Sequence, residues 1–138
     1  IIEADALFPF APYAGNLYSS EYLTLLKNHL KPGGFAVNWM PTPRTMRTFR
    51  SVFPYTLNVG NWMFIGSNEP IQVDKALALA RVRQPSTQAY YTRACIDPER
   101  LLQSQLDMIV DQPQQRLTQP ELDINRDLFP KDEFQKPE

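Results

Sequence analysis

Asp5 is the residue best placed to do chemistry. It follows the apolar run Ile1-Ile2-Glu3-Ala4, which reads as the end of a buried strand delivering a carboxylate. A carboxylate at the carboxyl end of a strand can accept a proton or hold a ligand. From spacing alone it serves equally well as a turn or cap residue in the loop that follows. Glu3 alternates to the face opposite its immediate neighbours, where an exposed or paired charge is the expectation. Arg44, Arg47 and Arg50 recur on one helical face, either as an anion clamp or as an ordinary solvated stripe. Trp39 and Trp62 fit an aromatic pocket wall or plain core packing. Leu17 and Tyr18 fit a pocket lining or, more simply, a hydrophobic anchor for the helix they precede. Cys95 has no base beside it in sequence, so a buried or inert thiol is expected. His29 stands near a helix end, where its cation is favourable and needs no other role.

Composition narrows the classes. The chain has 138 residues and a net charge of −1. One domain fits, and two of ordinary size do not. A nearly neutral surface argues against a nucleic-acid partner. No apolar run approaches the roughly 20 residues of a membrane span. A single cysteine excludes an internal disulfide and suggests a reducing, cytoplasmic setting. A single histidine with no ligand spacing around it argues against a metal site. The 13 prolines gather in loops and towards the C-terminus.

The elements that must hold Asp5 and Trp39 are well signalled. Ser19 or Ser20 caps a helix whose stripe is Leu23, Leu26 and Leu30, and Lys31-Pro32-Gly33-Gly34 stops it. Phe35 to Met40 is nearly continuous in apolar character, as in a strand covered on both faces. A strand, helix and strand in this order put Asp5 and Trp39 together at the carboxyl edge of a sheet, where ligands of open α/β sheets bind. A second helix is predicted over Thr45 to Phe53. Leu57 to Ile65 reads as a hairpin turning at Gly60-Asn61, packed beside Phe35 to Met40. The first two helices are expected to cover this sheet on its two faces. Further helices are expected over Asp74 to Arg83, between Pro85 and Arg93, and from Asp97, the last with Leu102, Leu106 and Ile109 as its face. From Asp111 the chain reads as irregular, docked at Leu117, Leu122, Ile124 and Leu128-Phe129.

Four motifs in order resemble a family. They are Ile2-Glu3-Ala4-Asp5, Gly15-Asn16-Leu17-Tyr18-Ser19-Ser20-Glu21-Tyr22, Leu30-Lys31-Pro32-Gly33-Gly34 and Trp62-Met63-Phe64-Ile65-Gly66-Ser67. Together they resemble the C-terminal half of the spermidine/spermine synthases, polyamine aminopropyltransferases, and above all the bacterial spermidine-synthase-like proteins. Asn125 to Phe134 is similar to the tail of that subgroup. The resemblance implies an α/β fold: the C-terminal half of a class I methyltransferase-like Rossmann domain, its mixed sheet ending in an antiparallel hairpin, with additional C-terminal helices. The corresponding division is 1–70 for the half-domain, 71–112 for a helical extension and 113–138 for a tail. The resemblance makes Asp5 the catalytic base, Pro12 and Leu17 contacts of the adenosyl group, and Tyr18, Trp39 and Trp62 the substrate pocket. Its co-substrate is decarboxylated S-adenosylmethionine, or S-adenosylmethionine, with no metal, and its acceptor is a polyamine or other amine.

Phe8 stands where many family members carry a second acid, and Leu57 where many carry a polyamine-binding tyrosine. The glycine-rich first turn that binds the cofactor in this fold has no counterpart here. Three readings follow: a fragment of an aminopropyltransferase that is inactive alone, a non-catalytic adenosyl- or polyamine-binding module, and a class I methyltransferase. The first strand should find one of two neighbours within this chain, so a homo-oligomer or association with a separate N-terminal half is expected.

Overall fold

The computed structural model describes residues 1–4, 7–60, 62–110 and 123–134. Asp5 lies outside the described residues, as do Leu117 and Leu122. Five strands form one mixed sheet in the order β1-β2-β4-β3-β5: β1 (Ile2–Ala4), β2 (Ala36–Trp39), β3 (Tyr55–Val59), β4 (Met63–Ser67) and β5 (Ile109–Val110). β1 and β2 are parallel, with Ala4 opposite Asn38; every other pairing is antiparallel. The expected hairpin is present, closed at the Val59–Met63 pair, and β4 lies beside β2 as expected. Gly60 sits in its turn at φ +63°, a conformation natural to glycine. Among the described residues β1 pairs with β2 alone and is an edge strand.

Helix α1 (Ser20–Asn28) connects the parallel pair. The Ser19 hydroxyl accepts the Tyr22 N–H at 3.0 Å, which fixes its start. Leu23 and Leu26 are buried, as the stripe requires. Helix α2 (Pro43–Val52) begins two residues before the sequence expectation. Pro41-Thr42-Pro43 is not simply a loop. Thr42 caps the helix in a reciprocal box with Thr45, and Pro43 occupies the first turn, where its lost N–H costs nothing.

The two helices do not flank the sheet. Register places Ala36, Asn38, Phe64 and Gly66 on one face, and the core joins Ala36, Met40 and Phe64 to Leu23, Leu26, Phe49 and Phe53. Both helices therefore cover the same face. Gly66 shows how closely: a methyl group there would lie 2.7 and 2.8 Å from two atoms of the Phe53 ring. The opposite face carries Glu3, Val37, Trp39, Ile65 and Leu57. It is only partly buried along β2, and Glu3 is exposed as expected.

Helices α3 (Lys75–Val82), α4 (Pro85–Thr92) and α5 (Pro98–Asp107) pack chiefly on one another. Asp74 and Asp97 cap α3 and α5 with their side chains. Ile109 does not extend the face of α5. The helix stops at Asp107, and Ile109 enters β5 opposite Val59. No helix among the described residues is long and apolar enough to cross a membrane.

The tail docks differently from the expectation. Leu128 and Phe129 are 85% and 67% exposed, so they are not anchors. Polar side chains hold the segment instead, and Asn125 and Asp132 are the buried ones.

Candidate functional site

The carboxyl ends of β1 and β2 meet at one edge of the sheet, at Ala4 and Trp39. Antiparallel β4 begins at that edge, and the Met40 N–H donates to the Trp62 carbonyl at 2.7 Å. Trp39 and Trp62 thus both lie at this edge, in successive rows that face opposite sides of the sheet, Trp39 opposite Met63 and Trp62 opposite Met40. Phe8, from the loop after β1, sits edge-on to Trp39 with ring centroids 4.8 Å apart. Phe10 stacks on Phe8 at 5.0 Å. Aromatic pairs favour these offset and edge-to-face geometries. Phe8 is 52% exposed, and Trp62 55%. The edge therefore presents a partly exposed aromatic surface, which suits a flat apolar group better than a cation.

Apart from Asp5, which lies outside the described residues, each predicted site residue has a definite setting. Pro12 is exposed in the loop, and Leu17 is half-buried against the core. Tyr18 is fully buried, and its hydroxyl donates to the Leu7 carbonyl at 2.7 Å. That is the anchor arrangement: Tyr18 ties down the loop that carries Phe8 and lines no open surface. Leu57 is buried on the same sheet face as Trp39, one row further from the edge. The described carboxylate on that face is Glu3, opposite Val37.

Sequence reasoning did not find the polar centre beside this edge. The Arg44 guanidinium meets the carboxylates of Asp123 and Asp132, and Arg47 reaches Asp123 at 3.2 Å. Arg50 lies over the Phe64 ring, 5.0 Å from its centroid, and burial lowers its pKa below the usual guanidinium range. The arginine stripe is therefore neither solvated nor an open clamp, because its partners come from this chain. Asp132 also accepts from the Thr42 hydroxyl at 2.8 Å and from the Asn125 amide at 3.0 Å. The Lys131 ammonium bonded to Asp123 outweighs partial burial and, with Arg44, holds that carboxyl below its ordinary pKa. The arginine spacing was visible in the sequence. Its partners, 76 to 88 positions away, were not.

Two buried amides lie in one row across the helical face, Asn38 on β2 and Asn58 on β3, each opposite Phe64 of β4. Neither the oxygen nor the nitrogen of the Asn38 side chain has a hydrogen-bond partner among the described residues. Buried polar groups are normally paired, so this amide marks the interior below the edge as a polar position.

Two surface hollows lie elsewhere, on the helical trio. One of about 580 Å³ is lined by Gln88, Arg100 and the acids Asp97, Glu99 and Asp107. The other, of about 480 Å³, is lined by Tyr90, Tyr91, Arg93 and Ile96. Neither includes a residue of the aromatic edge. The Cys95 thiol is exposed rather than buried, with its backbone at φ +55°. Among the described residues no group of three or more His, Cys, Asp or Glu side chains is arranged to hold a metal ion. Comparison with protein-family models, with curated proteins and with solved structures gives no match to this chain.

Proposed function

We propose that the protein is spermidine-synthase-like: it holds an adenosyl co-substrate at the aromatic edge and, when intact, transfers an aminopropyl group to a polyamine. The observation that carries this reading is the packing of Phe8 on Trp39 at the carboxyl edge of a β1-α1-β2 unit. A parallel pair followed by an antiparallel hairpin is also what the half-domain reading requires. The partly exposed Phe8 and Trp39 rings offer a flat apolar surface to a purine, and in this reading Pro12 and Leu17 also contact the adenosyl group. In this reading Asp5 attracts the cationic amine and takes its proton as the nitrogen attacks the aminopropyl carbon. Methylthioadenosine leaves.

A second reading, a non-catalytic binding module of the same fold, is favoured by one specific observation. Phe8 fills the position of a second acid and turns it into part of an aromatic pair with Trp39. A dication placed there would lack the partner that offsets its desolvation. A third reading, methyl transfer, shares the adenosyl surface. Product analysis of the intact protein with each co-substrate separates the three. Aminopropyl transfer releases methylthioadenosine, methyl transfer releases S-adenosylhomocysteine, and a binding module releases neither. Absence of methylthioadenosine in the presence of substrate amines would overturn the preferred reading.

A further inference from the structure

The C-terminal segment 123–134 touches three chain ends that all lie at the same edge of the sheet. At the loop after β1, the Glu133 carboxylate accepts the Tyr13 N–H at 3.0 Å. The ring of Pro130 presses on Gly15 so tightly that a methyl group there would lie 2.5 Å from Pro130 Cβ. At the start of α1, the Ser20 N–H donates to the Asn125 carbonyl at 3.0 Å, and the Glu21 carboxylate accepts the Asp127 N–H at 3.3 Å. At the start of α2, Asp132 binds Thr42 and Arg44, and the Thr48 hydroxyl accepts the Asn125 N–H at 3.0 Å.

Tyr13 itself has φ +66°, a conformation rare outside glycine, and such backbone persists only where surroundings hold it. Here the holding contact is Glu133.

We propose that residues 123–134 form a latch, a single cooperative unit that clamps the 7–18 loop onto the N-terminal ends of α1 and α2 and can open without unfolding the core. Three features argue for a latch rather than a part of the core. Its contacts are mostly hydrogen bonds and ion pairs, with Pro130 on Gly15 the apolar one described. Two of its large apolar residues, Leu128 and Phe129, are exposed, and Ile124 is only half-buried. The hydrophobic core is complete without it, built from residues 18 to 64. Segments with few buried apolar contacts are the ones that open locally at low free energy. The loop it clamps carries Phe8, so opening changes access to the aromatic edge. That consequence rests on the site reading above, whereas the latch itself does not.

Native-state amide exchange on the full chain tests this from one end to the other. Gly15→Ala wedges a methyl group against Pro130 at the loop end. Exchange is then read at Tyr13 and Ala14 in the loop, and at Ser20 and Asn125 at the far end. We expect all four to speed up together by about tenfold, the effect of losing roughly one charge-assisted hydrogen bond, and in the parent chain all four should already exchange far faster than Leu23, Leu26 and Phe64 in the core, because a latch opens without global unfolding. Adding Pro130→Gly removes the colliding atom and should return the far-end rates most of the way. Glu133→Ala, which deletes the Tyr13 acceptor without a steric wedge, should reproduce the pattern. Acceleration confined to Tyr13 and Ala14 would overturn the proposal, because the contacts would then be independent. Latch amides in the parent chain exchanging as slowly as those of Leu23, Leu26 and Phe64 would overturn it too, because the segment would then open only with the global fold.

Discussion

Gly66→Ala is the sharpest test of how the helical layer sits on the sheet. Gly66 lies on β4, paired with Ala36 and Thr56. Its backbone is not in the left-handed region, so alanine meets no conformational penalty there. The whole effect comes from the Phe53 ring, two of whose atoms would lie 2.7 and 2.8 Å from the new methyl group. Phe53 is 3% exposed and stacks on Phe49 at 4.5 Å, so the ring cannot swing away without opening the core. Overpacking of this kind costs typically 1–3 kcal/mol, and a ring trapped between a strand and a neighbouring ring puts the expected cost near the top, at about 3 kcal/mol. With a urea slope of roughly 2 kcal/mol per M, the midpoint should fall by about 1.5 M. Equilibrium urea unfolding followed by tryptophan fluorescence reads this directly. Phe53→Leu in the same chain frees volume beside the methyl group and should recover about half of the loss. A Gly66→Ala protein within about 0.5 kcal/mol of the parent would refute the placement of α2 over β4, and with it the one-sided helical layer.

Other outcomes follow from the polar centre and the edge. Asp132→Ala removes one of the carboxylates on Arg44, whose side chain is only 12% exposed, and should cost about 3 kcal/mol in urea unfolding; a loss under about 1 kcal/mol would mean that the remaining partners of Arg44 fully replace it. Asp123 has a depressed pKa in the folded chain, so its contribution is present above the unfolded value of ~3.9 and is lost as pH falls through the lower folded value. Latch opening should therefore become easier as acid is added below about pH 4, seen as latch-amide exchange faster than the intrinsic pH dependence alone allows. The effect should be small, because Asp123 is 40% exposed and water screens the pair. In the intact protein, Asp5→Asn should lower aminopropyl transfer by about 10²–10⁴-fold if Asp5 is the base; unchanged turnover removes Asp5 from the reaction.

What could be read from the sequence was local. The Ser19 cap, the Leu23–Leu26 stripe, the aspartate caps of α3 and α5 and the glycine turn of the hairpin each depend on residues a few positions apart. The start of α2 was also written locally, in Thr42-Pro43, but two prolines so close together resemble a loop. β5 was hidden because two residues carry no periodicity, and Ile109 continues the spacing of the preceding helix. The one-sided helical layer was not legible, since β2 has apolar residues at both parities. Ala36 and Gly66 face the helices because they are small enough to fit beneath them, not because they are the most apolar. The tail misled for a related reason. Its apolar residues were the visible anchors, whereas the groups that hold it, Asn125 and Asp132, are polar and find partners far away in sequence. At the candidate edge, the position of Trp39 at a strand's carboxyl end followed from strand order, but the packing of Phe8 on Trp39 depended on the path of the loop.

The same long reach governs the order of events when the chain folds. The β3–β4 hairpin and the β1-α1-β2 unit close over short stretches of sequence, whereas the bonds from Tyr13 to Glu133 and from Thr42 to Asp132 span 120 and 90 positions. Closing loops of that length brings no return until the surfaces at both ends exist. The α1–α2 surface must be in place before residues 123–134 have anything to grip, so their contacts form after the rate-limiting step. Substitutions there should leave the folding rate nearly untouched and fall on the unfolding rate. The C-terminal segment thus acts as a brake on unfolding rather than as a guide to folding, and it governs how long the native state lasts once formed.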